Sequence, residues 1–256
     1  RIPDGTTALA IGVALPGPFL PARGKIELMT GAPGWSEIDI QGALSKRYEL
    51  PIFLEHDANC GALAELWYGD TEIRHNILYV NVANGIGAGL ICDGRLTRGQ
   101  IGTAGEIGHM PVGLNETEGC GCGNKGCLEQ YASATGIVKV AKKILSECDT
   151  ETPLRNMEGF SAKDVMDLAK GGDQVAIDVI EQLGDYLGKA LAHIACVVNP
   201  SAFVIGGGVS KAGQFLIDVI EKHFKKNAFV PCSDVKFVIA SLGNDAGIYG
   251  AVAQVL

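Results

Sequence analysis

The sequence lacks any apolar run long enough to span a bilayer, and nothing at its start has the order of a secretory signal. It has no excess of positive charge. Its 21 Lys and Arg stand against 29 Asp and Glu, a formal charge of −8, so this chain has no basic footprint for nucleic acid. Prolines are few, ten against 35 glycines, and the glycines cluster instead of recurring at every third position, which excludes a collagen repeat. No solenoid period, low-complexity linker, Walker phosphate-binding sequence or defensible Ser-His-Asp order is present. The expected location is the cytoplasm, with neither membrane nor nucleic acid among the partners of this chain. What is there is an ordinary globular composition, 47% hydrophobic and 20% charged over 256 residues. That is enough for one large domain or two modest ones.

Strand and helix patterns alternate along the chain. Ala8–Leu15 reads as a buried strand running into a Pro-Gly-Pro turn at Pro16–Pro18. Because a domain rarely opens in the middle of a sheet, and Arg1 is not an initiator Met, an earlier part of this lobe is expected upstream. Ile40–Tyr48 has amphipathic helical spacing, Pro51–Glu55 is a short apolar strand, and Ala58–Tyr68 is an Ala- and Leu-rich helix. Asn76–Val82 begins a further strand, Gly85–Gly89 reads as a tight turn, and Leu90–Cys92 continues to a hairpin turn at Asp93-Gly94. Ser161 to Asp164 carries a helix-start signal. Val175–Val198 keeps apolar residues three and four apart for over six turns, until Asn199-Pro200 stops it. Strand Ala202–Ile205, helix Gly213–Phe224, strand Val235–Ile239 and helix Ala246–Val255 complete a second α/β unit. The expected lobes are residues 1–75, with the last helix, 246–256, packing back on them, and residues 76–245.

Three groups of residues carry chemistry. Cys120, Cys122 and Cys127 crowd into Gly119-Cys-Gly-Cys-Gly-Asn-Lys-Gly-Cys127, and His109 lies eleven residues upstream of the first. Three thiolates and an imidazole make the tetrahedral S/N set that zinc prefers, and four protein ligands make a structural site. The other five cysteines stand singly in apolar stretches and read as small buried residues. His75, His193 and His223 read as incidental, with His193 a core or groove residue of the long helix. In Glu55-His56-Asp57-Ala58-Asn59 a strand gives way to a helix, where open α/β sheets bind ligands. Asp57 there either takes a proton from a substrate hydroxyl or caps the helix. The glycine turns Asn84-Gly85-Ile86-Gly87 and Gly206-Gly207-Gly208 offer backbone N–H groups to phosphate, or serve a plain hairpin and close packing.

In combination these motifs resemble the signature of the ROK family of repressors, open reading frames and sugar kinases. The match runs in order through Glu55-His-Asp-Ala-Asn59, Gly105-Glu-Ile-Gly-His109, Cys120 to Ser133, Ile205-Gly-Gly-Gly208 and Leu242-Gly-Asn-Asp-Ala-Gly247, and it covers essentially the whole chain. The resemblance implies an actin-like ATPase (ribonuclease H-like) fold of two α/β lobes with a cleft between them. It implies ATP-dependent phosphorylation of a hexose, glucose first, with Asp57 as the base. His56, Asp57, Glu106, His109 and Glu129 would then contact the sugar. Asn84, Gly85, Gly87, Gly207 and Gly208 would contact ATP with its Mg²⁺, and zinc would sit on His109, Cys120, Cys122 and Cys127. A homodimer or homotetramer is implied as well. The alternatives within the resemblance are a sugar-sensing repressor domain, or a kinase for N-acetylmannosamine or fructose. Three departures bear on this choice. The second phosphate turn has Asn84 where kinases of the family carry Thr, His56 stands where a sugar-contacting Asn is common, and Gly31 replaces another Asn. The first phosphate hairpin, Asp-x-Gly-Gly-Thr, does not occur in these residues, whereas Leu242 to Gly250 resembles the glucokinase-type members.

Overall fold

The computed structural model describes residues 5–17, 19–20, 25–26, 35, 38–70, 72–73 and 75–255; Pro18 and Gly31 lie outside them. In chain order the elements are β1 (Ile11–Leu15), β2 (Phe19–Leu20), β3 (Lys25–Ile26), α1 (Ile40–Ser45), β4 (Ile52–His56), α2 (Asp57–Tyr68), β5 (Ile77–Val82), β6 (Ile86–Cys92) and β7 (Arg95–Thr97). They continue with α3 (Glu129–Ala132), α4 (Ala134–Glu147), α5 (Ala162–Lys170), α6 (Gln174–Val198), β8 (Ala202–Gly206), α7 (Gln214–Asn227), β9 (Lys236–Ile239) and α8 (Ala246–Ala253). The chain divides into two compact units. Unit 1 is Arg1–Tyr79, Ala88–Gly105 and Ser241–Leu256, and unit 2 is Val80–Gly87 with Glu106–Ala240.

In unit 1, β1 lies parallel to β4 with Leu15 opposite His56, so the end of the pair falls at the start of α2. That helix is built of small residues. Ala58, Cys60, Gly61, Ala62 and Ala64 are buried on it, which lets α8 come close, and a Cβ on Gly250 would collide with the Cys60 carbonyl. A Cβ on Gly89 of β6 would likewise fall 2.6 Å from Ala62 Cβ. Such contact between backbones leaves little room for larger side chains and fixes the helix against its neighbours. Two carboxylates are enclosed, Glu55 and Glu65, and Glu65, 1% exposed, accepts the Ser241 hydroxyl at 3.0 Å and the Leu242 N–H at 3.1 Å. This anchors the Leu242–Gly247 motif to α2.

Unit 2 is organised on α6, whose Val179, Leu183, Leu187 and Leu191 are at most 1% exposed. Its glycines face α7: a Cβ on Gly188 would lie 2.7 Å from His223 Cβ and from Phe224 N. Phe203 of β8, Phe224 of α7 and Phe237 of β9 form a ring cluster with centroids 5.1 to 5.5 Å apart. In unit 2, β8 lies parallel to β9, and in unit 1, β6 pairs antiparallel with β7 through Leu90–Cys92.

The helix and strand patterns are found within a few residues of where the spacing puts them, including the Ser161–Asp164 capping box and the left-handed Asn199 at φ 42° that ends α6. Asp93 (φ 50°) and Gly94 (φ 73°) form the hairpin turn, both in the positive-φ region that such turns demand. Four expectations need correction. The turn after β5 is Ala83–Gly85 alone, and Gly87 and Gly89 lie inside β6, because the apolar Ile86, Ala88 and Ile91 continue the strand. His193 and Cys196 are exposed on α6, not buried, since α6 turns that face away from its packing. His223 is not incidental: its Nε2 lies 2.7 Å from Glu181 and its Nδ1 3.5 Å from Asp185. Among the described residues no helix is long and apolar enough to cross a membrane.

Candidate functional site

Asp57 is the first residue of α2, and the His56 side chain that precedes it makes no capping bond. Its carboxylate is 40% exposed, with Oδ1 3.4 Å from His56 Nε2, and the His56 side chain is 8% exposed. An acid here faces the positive end of the helix dipole. Behind it the junction is pinned by Glu55, 2% exposed. One Glu55 oxygen accepts the His56 N–H at 2.9 Å and the Asn59 amide at 3.0 Å, and the other accepts Arg98 Nε at 2.6 Å. Strand β4 alternates its side chains, so the inward turn of Glu55 and the outward presentation of Asp57 follow from the strand-to-helix switch between them. The roles of Glu55, Asn59 and Arg98 were not legible in the sequence, where only the unusual Glu inside an apolar strand hinted at them.

In unit 2, a backbone ladder closes the cysteine loop. The N–H of Val112 donates to Gly126 O at 2.8 Å, and that of Leu128 to Met110 O at 2.9 Å. The tip Gly119–Lys125 folds back through Cys120 N–H to Asn124 O at 2.7 Å. This brings the ligand atoms of His109, Cys120, Cys122 and Cys127 within 4.8 Å of one another. Cys122 Sγ and Cys127 Sγ are 3.6 Å apart, and Cys120 Sγ is 3.7 Å from His109 Nδ1. A tetrahedral zinc with bonds of about 2.0–2.3 Å has ligand-to-ligand edges of about 3.5–3.8 Å, so the four residues fit that ion. Without a cation, burial and then the Glu129 carboxylate raise the Cys120 thiol above its ordinary range, and burial pushes Cys127 up to about 11. A divalent cation reverses that balance and takes the thiolates.

Glu129 begins α3 beside this cluster, with Oε1 3.1 Å from Cys120 Sγ and 3.7 Å from His109 Nδ1. It also reaches the β5–β6 turn, since a Cβ on Gly85 would stand 3.0 Å from Glu129 Oε2. Glu106 precedes the short 3-10 turn Ile107–His109, whose His109 N–H donates to Glu106 O at 3.2 Å. Structure thus brings together Gly85, His109, Glu129 and the three cysteines.

A cavity of about 300 Å³ opens in unit 2, lined among others by Ala134, Lys163, Met166, Lys170, Gly208 and Val209. Gly207 takes φ 83°, and a Cβ there would fall 2.4–2.6 Å from the backbone and side-chain oxygens of Val82 and Asn81, so only glycine fits. Gly208 has nothing within 4 Å of a Cβ position and faces open space. Ala134 ties this cavity to the β5–β6 turn through its N–H to Ala83 O at 2.8 Å, and Thr135 donates to Asn84 O at 2.7 Å. Gly87, in β6, is apart from that turn.

Unit 1 thus offers a strand-to-helix acid, and unit 2 offers a Cys₃His loop and a glycine-edged cavity. The sequence model of the ROK family matches residues 3–256, and the chain belongs to that family. It is 39% identical over 242 residues to a glucokinase of Halalkalibacterium halodurans, covering 90% of this chain and 73% of that protein. A ROK family glucokinase from Streptomyces griseus, solved in complex with glucose and AMPPNP, superposes with a TM-score of 0.83 at 30% identity, covering 98% of this chain and 82% of that one. A ROK family transcriptional regulator, a homolog of the E. coli MLC protein, superposes with the same TM-score and identity, over 96% of this chain and 61% of that one. The fold is the actin-like ATPase fold of the ROK glucokinases.

Proposed function

We propose that this chain carries the sugar, nucleotide and base sites of an ATP-dependent hexose kinase, with glucose as the substrate. The observation that carries the kinase reading is Asp57, a carboxylate 40% exposed in the first turn of α2 and backed by the buried Glu55, which pairs with the half-exposed Arg98. A base at that point takes the proton from the attacking sugar hydroxyl as its oxygen bonds to the γ-phosphorus and the bond to the β-phosphate oxygen breaks. Glu129, Glu106, His109 and His56 are assigned to the sugar hydroxyls, which carboxylates and imidazoles hold by charge-assisted hydrogen bonds. The open Gly208 and its cavity suit a flat nucleobase, and the N–H groups of Asn84 and Gly85 suit phosphate oxygens accompanied by Mg²⁺. Zinc held by His109, Cys120, Cys122 and Cys127 would supply folding energy to the loop and set the orientation of His109 and Glu129. Likeness to the glucose- and AMPPNP-bound glucokinase supports this assignment.

Likeness of equal degree to a transcriptional regulator, and Asn84 in place of a phosphate-facing Thr, favour a second reading: a sugar sensor that binds without transfer. A hexose panel separates them. The full-length protein with ATP and Mg²⁺ is offered glucose, N-acetylmannosamine, fructose and xylose, and both heat of binding and ADP release are recorded. Transfer to glucose above the others supports the kinase. Sugar binding with no ADP release for any of them supports the sensor.

A further inference from the structure

Between His109 and Cys120 the chain runs through ten residues without helix or strand. Leu114, Asn115, Thr117, Glu118 and Gly119 are exposed there, and Leu114 is 94% accessible. Glu116 turns inward among them, with its side chain 12% accessible. One carboxylate oxygen accepts the N–H groups of Thr117 and Glu118 at 2.9 and 3.0 Å. The other accepts the Tyr131 hydroxyl at 3.0 Å and Lys139 Nζ at 3.3 Å. Lys139 also pairs with Glu118 at 2.9 Å. Gln130 joins the two limbs of the loop, donating to Glu118 O at 3.2 Å and accepting the Cys127 N–H at 3.0 Å. Tyr131 in turn stacks on Tyr186 of α6, with centroids 4.1 Å apart.

The partners of Glu116 therefore sit on α3 and α4, and through Tyr186 on α6, while Glu116 itself sits on the irregular segment. Four donors on one carboxylate hold it as an anion: backbone N–H groups foremost, with Tyr131 and Lys139 besides, bring its pKa down to about 2 against the opposing effect of burial. A loop that had to order ten residues while capturing an ion would lose affinity to chain entropy, and contacts formed beforehand remove that loss.

We propose that Glu116, with Tyr131, Lys139 and Gln130, forms a clamp that holds the Cys₃His loop closed before metal arrives. Glu116 and Tyr131 are thus positioning residues for the metal ligands. The clamp as a metal-site device rests on the zinc assignment above, so its test has a metal-free arm. Zinc release from the loaded full-length protein is followed with a coloured chelator for wild type, Glu116→Gln, Tyr131→Phe and Glu116→Asp. Hydrogen exchange at the Thr117 and Glu118 amides is measured on metal-free wild type and Glu116→Gln. The expected result is release faster by about tenfold or more in Glu116→Gln, a smaller rise in Tyr131→Phe, and partial rescue by Glu116→Asp. The two amides are protected in metal-free wild type and lose protection in Glu116→Gln. Release rates within twofold of wild type across the series overturn the proposal, as do unprotected amides in the metal-free protein. Wild type that takes up no zinc yet protects both amides sinks the zinc assignment and keeps the clamp. Tyr131→Phe removes one hydroxyl only, so it gives an answer if Glu116→Gln does not fold.

Discussion

The β4–α2 junction and the cysteine loop present polar side chains by opposite means. At the junction, regular backbone does the positioning: a strand of fixed alternation meets a helix of fixed pitch, and one ion pair, buried Glu55 with half-exposed Arg98, holds the joint. At the loop, His109 and the three cysteines stand on a segment whose only regular structure is a 3-10 turn and two isolated bridges, so cross-links hold it: the backbone ladder, the Glu116 contacts and the Cys₃His cluster. The lesson is that a side chain on regular structure tolerates loss of one contact, whereas a side chain on an irregular loop depends on every cross-link.

The strongest way to test this contrast is to open the loop. Cys127→Ser combined with Glu116→Gln should abolish stoichiometric zinc and expose residues 110–126 to protease, because both the ion, which contributes on the order of 10 kcal/mol to such sites, and the clamp are then gone. Metal analysis and limited proteolysis read the outcome, and a resistant loop in that double variant would remove the contrast. The junction should suffer less. Arg98→Met leaves Glu55 enclosed without its cation but with two hydrogen bonds remaining, so denaturant melts should show a loss of about 2 kcal/mol. A change under 0.5 kcal/mol would mean the joint is held by the backbone alone.

Gly208→Val should leave stability nearly unchanged, since its side chain meets open space, while nucleotide affinity falls by about tenfold, or 1.4 kcal/mol. Equal affinity for the variant would move the nucleobase away from this cavity. A pH dependence at Glu116 sharpens the contrast further. Its carboxyl lies at about 2 in the folded protein against an ordinary 4.5. Its contribution is therefore fully present above pH 4.5 and fades as pH falls toward 2. Acid titration of wild type against Glu116→Gln should converge at the low end, and parallel curves would contradict the clamp's charge.

Much of this was legible in the sequence for physical reasons. Hydrophobic period marked α6 because a helix buried along one stripe must repeat its leucines, and Asn199 marked its end because few residues accept φ 42°. The cysteine spacing marked the Cys₃His cluster because three thiols within eight residues of a glycine-rich loop can turn toward one point. Glu55, Glu65, Glu116 and His223 were not legible, because each owes its role to a partner distant in sequence: Arg98, Ser241, Tyr131 and Glu181 respectively. Local pattern says nothing of such pairs. The extent of β6 was misjudged for a related reason. Glycines read as a turn locally, yet Gly89 packs against Ala58 and Ala62 of α2, where a strand without side chains is what fits.

The measurement that bears most directly on the central claim is glucose 6-phosphate formation by the full-length protein and by its Asp57→Asn variant, with glucose binding measured on both. The account predicts that both bind glucose with similar affinity and melt at the same temperature, while the variant loses transfer by about a thousandfold. Transfer by Asp57→Asn within a few-fold of wild type would contradict Asp57 as the base. Glucose binding with no transfer by either protein would contradict the kinase.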